Sequence, residues 1–171
     1  MWLRIFDFDG TLFRSPSVPQ EEWDSSLDPP VVPEVPGIDW WIRATLVALS
    51  ESVEDPYIYT IVATGRQQDI FTDRVYELLD QIGMLEGIDE VHLTPEGRMS
   101  HEYKMELFEK ILEVIAPELD GVEFWDDHDD YLPDYVDLAE KFGLAAYAHL
   151  VSVPKKKPWY ESIASKYLGM E

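Results

Sequence analysis

Three short apolar runs constrain this chain more than any other feature. Trp2-Leu3-Arg4-Ile5-Phe6 breaks off into Asp7-Phe8-Asp9-Gly10-Thr11, and residues 57–63 break off into Thr64-Gly65-Arg66. Val122-Glu123-Phe124-Trp125 does the same into Asp126-Asp127-His128-Asp129-Asp130. Runs of this length, bounded by turn residues and rich in β-branched and aromatic types, are those of buried strands. Between them lie segments with helical spacing, such as Tyr103, Leu107, Ile111 and Ile115. The spacing predicts helices over 39–52, 68–82, 101–115, 133–142 and 159–168, and further strands at 91–93 and 145–151. Ser100 is the expected N-cap of the third helix, which puts Lys104 in its first turn. Strands alternating with helices in this way specify an α/β fold, a central parallel sheet with helices on both faces. No internal repeat is visible.

The 171 residues, 46% of them hydrophobic, predict one domain with a sizeable core over 1–171. Residues 15–37 are an exception to the alternation. Pro16, Pro19, Pro29, Pro30, Pro33 and Pro36 fall there among acids and serines, so the segment reads as a long acidic surface excursion able to act as a small lid. No stretch approaches the roughly 18 apolar residues of a membrane span, and no apolar leader is seen, so the expectation is a soluble, cytoplasmic protein without a membrane partner. With no cysteine, any metal must be held by oxygen or histidine, which favours a hard ion such as Mg²⁺. The 13 basic and 35 acidic residues leave a charge of -22, which opposes broad duplex binding and suits solubility or a high-salt source. Oligomeric state is not written in the sequence.

In open parallel sheets ligands bind outside the carboxyl ends of the strands, where all three polar strings fall. Together they suggest phosphoryl transfer. Asp7 is the candidate nucleophile, and Asp9 the general acid and then base. Gly10 lets backbone amides approach a phosphate, and Thr11 braces the loop. Thr64, the Gly65 amide and Arg66 are candidate phosphate donors where a strand enters a helix. Lys104 would neutralise the carboxylates and the transferring group. Four acids in five positions at 126–130 call for a cation or solvent; Asp7, Asp126 and the Asp9 carbonyl would suffice for Mg²⁺, with Asp127 or Asp130 behind through water. His128 is read as exposed or as a phosphate or substrate contact. Trp23, Trp40 or Trp41 could stack on a base, although at least one of Trp40 and Trp41 is expected in the core. The run Lys155-Lys156-Lys157 reads as a solvated turn.

These residues resemble the four motifs of the haloacid dehalogenase (HAD) superfamily: Asp7-Phe8-Asp9-Gly10-Thr11, Thr64, Lys104, and Asp126-Asp127. Leu12-Phe13-Arg14-Ser15-Pro16, Trp40-Trp41, Thr64-Gly65-Arg66, Tyr103-Lys104 and His149-x-Val151 are similar to the phosphatase-like domain of Swiss Army Knife RNA repair proteins. The Thr-Gly-Arg form also resembles the phosphatase half of phage polynucleotide kinase-phosphatase. The resemblance implies a Rossmann-like three-layer sandwich, Mg²⁺ dependence, an aspartyl-phosphate and a phosphorylated substrate, with a nucleic-acid 3′ end or a nucleotide as the class. Where such relatives carry arginine in the fourth motif, this chain has His128, which removes one guanidinium clamp for a nucleic-acid end. No insertion large enough for a cap domain interrupts the motifs. A phosphatase of small metabolites and a non-catalytic phosphate- or partner-binding module are the alternatives.

Overall fold

The computed structural model describes residues 1–168, with side chains through residue 164; residues 169–171 of the expected domain lie outside the described residues. Five strands, β1 (Trp2–Phe6), β2 (Ile58–Gln67), β3 (Glu90–Thr94), β4 (Gly121–Asp126) and β5 (Ala145–Leu150), form one sheet in the order β3-β2-β1-β4-β5. Every pairing is parallel. Five helices accompany it: α1 (Arg43–Glu54), α2 (Gln68–Gln81), α3 (Ser100–Ile115), α4 (Leu132–Lys141) and α5 (Trp159–Leu168).

The two-residue period of the strands divides the core. Leu3, Ile5, Ile61, Ala63, Val122 and Phe124 face α3 and α4, meeting Phe108, Leu112, Tyr135 and Leu138. Phe6, Val62 and Trp125 point the other way, toward Leu49 of α1 and Phe71, Val75 and Leu78 of α2. The result is the expected three-layer, Rossmann-like arrangement, and no separate cap is seen among the described residues. The chain winds outward from β1 to β3, then crosses to β4, so the sheet reverses direction beside β1. A ligand crevice belongs there, at the carboxyl ends of β1, β2 and β4.

Three local expectations are corrected. The first helix begins at Arg43, not near residue 39, because the preceding backbone is used elsewhere: Ile42 donates to the Leu12 carbonyl, and Arg14 donates to that of Trp40. Residues 38–40 form only a 3₁₀ turn. Trp40 and Trp41 are therefore both buried, packed on Phe13, and neither is available to a base. Ser100 is not the cap of α3 but its first residue, following Met99, which makes Lys104 the fifth residue rather than part of the first turn. The macrodipole argument against a lysine there is correspondingly weaker. Finally, β2 runs on through Thr64-Gly65-Arg66, with a register shift against β3 between Thr64 and Gln67. Such a bulge re-aims side chains, here into the crevice.

Residues 15–37 cross the α1/α2 face as a strap with one 3₁₀ turn (Gln20–Ser25). Far from being wholly on the surface, the strap buries Leu27, Val31 and Val32 in the core. Arg74 of α2, itself buried, donates to the carbonyls of Leu27 (2.8 Å), Pro33 (2.9 Å) and Glu34 (3.0 Å). A backbone that cannot hydrogen-bond to a sheet or helix thus finds its partners on one guanidinium.

Candidate active site

Asp7 is the first residue past β1, and its amide donates to the Trp125 carbonyl of β4 (3.0 Å). The chain then turns sharply. The amides of Thr11, Leu12 and Phe13 all point at the Phe8 carbonyl, and Gly10 adopts φ 70°. A Cβ on Gly10 would sit 2.3 Å from Asp127 Oδ2, so both its backbone and its close approach to the acid require glycine. The buried Asp7 carboxylate accepts from Thr11 Oγ1 (3.2 Å) and from Lys104 Nζ (3.0 Å). Lys104 lies 3.6 Å from Asp126 Oδ2 as well, bridging the ends of β1 and β4. Burial pushes Asp7 up to about 8, with Lys104 pulling the other way and Asp126 adding to the rise. Burial opposes the charge of Lys104, but the two carboxylates win and its pKa rises.

Asp126 ends β4, and the next residues separate the remaining acids. Asp127 turns into the site, whereas Asp129 and Asp130 are exposed. Asp127, not Asp130, is therefore the second acid at hand. Single ligand atoms of Asp7, Asp126, Asp127 and His128 all lie within 4.8 Å of one another. His128 Nδ1 hydrogen-bonds Asp126 Oδ1 at 2.8 Å and stands 2.9 Å from Asp127 Oδ1. One ring N–H can serve only one of these acceptors, and Asp127 Oδ1 is left buried without a hydrogen bond. The hydrogen bond to Asp126, against the opposing effect of partial burial, raises His128 to about 9. Burial raises Asp127; in Asp126 it is outweighed by the His128 hydrogen bonds and Lys104, and that carboxyl is lowered. A cluster of oxygens with an orphaned buried lone pair fits a hard divalent cation, as the donor set of Mg²⁺ requires. His128 is half exposed and its ring stacks on Tyr131 (4.4 Å between centroids), which in turn stacks on His101 (4.2 Å).

The second string contributes differently from expectation. Arg66, 2% exposed, aims its fork at Asp9: Nε lies 3.0 and 2.9 Å from the two carboxylate oxygens and Nη2 lies 2.7 Å from Oδ1. Nη1 donates to the buried Ser26 hydroxyl of the strap, and the guanidinium lies over the rings of both Trp23 (4.4 Å) and Phe71 (4.6 Å), which meet edge to face. Ser15 also donates to Asp9. Burial alone would raise Asp9, but the Arg66 charge and hydrogen bonds outweigh it and hold the carboxyl below its ordinary value. Arg66 thus grips Asp9 rather than standing free as a phosphate donor. Thr64 Oγ1 accepts from the Arg66 amide (3.1 Å) and faces Asp9 Oδ2 at 3.5 Å. A Cβ on Gly65 would meet Ser100 Oγ at 2.6 Å, so glycine here lets α3 approach and bring Lys104 in.

Of the residues singled out from the sequence, Asp7, Asp9, Gly65, Arg66, Lys104, Asp127 and His128 border one crevice of about 270 Å³, with Thr11, Thr64 and Asp126 buried behind it, whereas Trp40, Trp41, Asp129 and Asp130 lie elsewhere. The sequence reading gave no site role to Ser15, Ser26 or Tyr131, and took Lys155 for part of a solvated turn. Ser15 was within a few residues of the first motif. Nothing local in a proline-rich loop signals that Ser26 meets an arginine 40 positions away.

In fold, the chain resembles the crystal structure of the Legionella pneumophila effector Ceg4, with a TM-score of 0.60 at 12% identity over 99% of this chain and 94% of that one. No curated protein matches the sequence. No helix among the described residues is long and apolar enough to cross a membrane. Residues 19–163 match the model of HAD domain family 1 in Swiss Army Knife RNA repair proteins. That match spans most of the chain, and the chain therefore belongs to this HAD family of phosphatase-type hydrolases.

Proposed function

We propose that residues 1–171 form one Mg²⁺-dependent phosphomonoesterase domain that works through an aspartyl-phosphate on Asp7, on nucleic-acid 3′-phosphate ends or nucleotides. The observation that carries this is the buried Asp7 carboxylate, held between Thr11 and Lys104 and facing an acid cluster with an unsatisfied oxygen. Asp7, Asp126, Asp127 and the Asp9 main-chain carbonyl are the groups that would hold Mg²⁺. When bound, the ion offsets the mutual repulsion of the acids and the negative charge of a phosphate.

An Asp7 oxygen attacks phosphorus, the bond to the leaving oxygen breaks, and Asp9 gives that oxygen its proton. Asp9 is deprotonated at rest by its pairing with Arg66, and a phosphate dianion beside it raises its pKa, favouring proton uptake when substrate is bound. In the second half Asp9 takes a proton from water, whose oxygen displaces the Asp7 carboxylate from phosphorus. Lys104, Thr64 and the Gly65 amide stabilise the equatorial oxygens, and Arg66 sets the direction of the Asp9 carboxylate. His128 borders the phosphate pocket.

The net charge of -22 favours a second reading in which the same chemistry serves a small metabolite. Phosphate release from 3′-phosphorylated oligonucleotides, 5′-phosphorylated oligonucleotides, mononucleotides and sugar phosphates, with Mg²⁺ or EDTA, separates the two. Preference for 3′ ends is the expected result, with Asp7→Asn inactive. Release from small phosphates alone selects the metabolite reading; phosphate binding without turnover anywhere would leave only a binding module.

A further inference from the structure

Beside the carboxylate crevice lies a second cavity of about 290 Å³, and the two share Asp9, Trp23, Arg66, Asp127 and Lys155 along their common edge. Both are near the roughly 300 Å³ at which small-molecule sites begin. The second cavity opens past Asp9, the residue proposed to protonate the leaving oxygen, and is therefore where the leaving group would extend. Its lining joins the apolar surfaces of Pro16, Val18 and Trp23 to the hydroxyl-bearing Ser15 and Ser17.

Lys155 distinguishes this cavity. Of the cations that line the two spaces, Arg66 is paired with Asp9, Lys104 with Asp7 and Asp126, and His128 with Asp126 and Asp127; Lys155 makes no ion pair among the described residues. It is nevertheless held in position. Arg14 donates from Nε (3.1 Å) and Nη2 (3.0 Å) to the Pro154 carbonyl on one side. On the other, Lys156 pairs with Asp39 and lies over the Trp40 ring. Lys155 and Lys157 are exposed, as the solvated reading expects, but the backbone is pinned on both sides, and the crossing delivers one uncommitted cation to the mouth of the site. In a chain with 35 acidic and 13 basic residues, such a cation marks where negative charge is accepted locally. Trp23 stands at the same edge, with one face on the Arg66 guanidinium and its side chain 45% exposed.

We propose that this cavity is a leaving-group subsite for a nucleoside 3′-phosphate that carries a second phosphate on its 5′ side, with Lys155 contacting the second phosphate and Trp23 the base. The inference rests on the phosphatase reading above and narrows it. A nucleoside 3′,5′-bisphosphate is the smallest such substrate, and a 3′-phosphorylated strand end presents the same pair of anions around one flat ring. The acidic surface beyond the cavity confines recognition to that terminal nucleotide.

The test compares kcat/KM for adenosine 3′,5′-bisphosphate and adenosine 3′-phosphate in the wild type, Lys155→Ala and Lys155→Arg, with Mg²⁺. p-Nitrophenyl phosphate serves as a generic substrate and fructose 1,6-bisphosphate as a bisphosphate without a base. One charge-assisted contact predicts that the bisphosphate is favoured by about tenfold in the wild type, with adenosine 5′-phosphate as the product. The ratio should fall close to one in Lys155→Ala and be kept in Lys155→Arg. Because it is formed within each variant, a general loss of folding or activity cancels. A flat ratio in the wild type, a ratio unmoved by Lys155→Ala, or a preference for fructose bisphosphate overturns the subsite while p-nitrophenyl phosphate turnover preserves the phosphatase. Silence toward every substrate, p-nitrophenyl phosphate included, overturns both.

Discussion

Replacing Arg66 by methionine removes the guanidinium but leaves an apolar stem against Trp23 and Phe71, which isolates the polar part of its role. The loss comprises the fork to Asp9 and the bond to Ser26. Hydrogen bonds to a charged partner contribute about 1.5–3 kcal/mol, and breaking a fully buried ion pair from one side costs about 3–5 kcal/mol. Asp9 is 29% exposed, so water screens the orphaned carboxylate and the lower range applies. The expected destabilisation is about 2 kcal/mol, or a fall in Tm of about 4–8 °C for a domain of this size. Asp9→Asn should cost a similar amount, because it leaves a buried guanidinium unpaired. In urea unfolding without metal, Arg66→Met/Asp9→Asn should be more stable than the sum of the single changes predicts, by about 1–2 kcal/mol. Because Asp9 is lowered in the folded state, the contribution of the pair is full above the unfolded value of 3.8 and disappears as pH falls through the lower folded value. Strict additivity at neutral pH would refute the idea that the two residues form one unit.

Two further outcomes follow from the same geometry. Asp7 is raised to about 8, so in the metal-free protein this group opposes folding increasingly as pH climbs from 3.8 to about 8, and a cation must displace its proton. Calorimetric titration of Mg²⁺ in buffers of different ionisation enthalpy should therefore show proton release at pH 7 and an affinity that rises with pH up to about 8; a pH-independent affinity would contradict the assignment. Gly10→Ala should lower stability by about 1–2 kcal/mol, since alanine is strained at φ 70° and its methyl displaces Asp127; the same variant should bind Mg²⁺ more weakly, measured by the same titration.

Much of the sheet was legible because burial on both faces writes itself as short apolar runs, and because the turns that end β1 and β4 are where those runs stop. The helix boundaries were less so. Residues 39–42 have helical spacing, but the Ile42 amide and the Trp40 carbonyl are taken by Leu12 and Arg14, a non-local pairing that no periodicity records. The candidate chemistry was legible where it depends on strand ends, as for Asp7 and Asp126. It was not legible where it depends on which of several neighbours a side chain meets. The sequence offered Arg66 as a phosphate donor, whereas the β2 bulge turns it onto Asp9; four clustered acids offered no choice between Asp127 and Asp130 until the turn exposed the latter. The role of Lys155 was hidden for a related reason: the tethers of its neighbours Pro154 and Lys156, Arg14 and Asp39, lie 140 and 117 positions away.

The strap has a consequence for how such a domain can change. Its two arginine tethers arise from β2 and α2, and one of them also holds Asp9. Transplanting residues 15–37 from a relative would therefore carry the mounting of a proton donor along with the shape of the wall, and a graft that omitted positions 66 and 74 would misalign chemistry it never meant to touch. The side chain of Lys155 makes no ion pair among the described residues, so selectivity can drift at that position by single substitutions while the reacting groups stay in register.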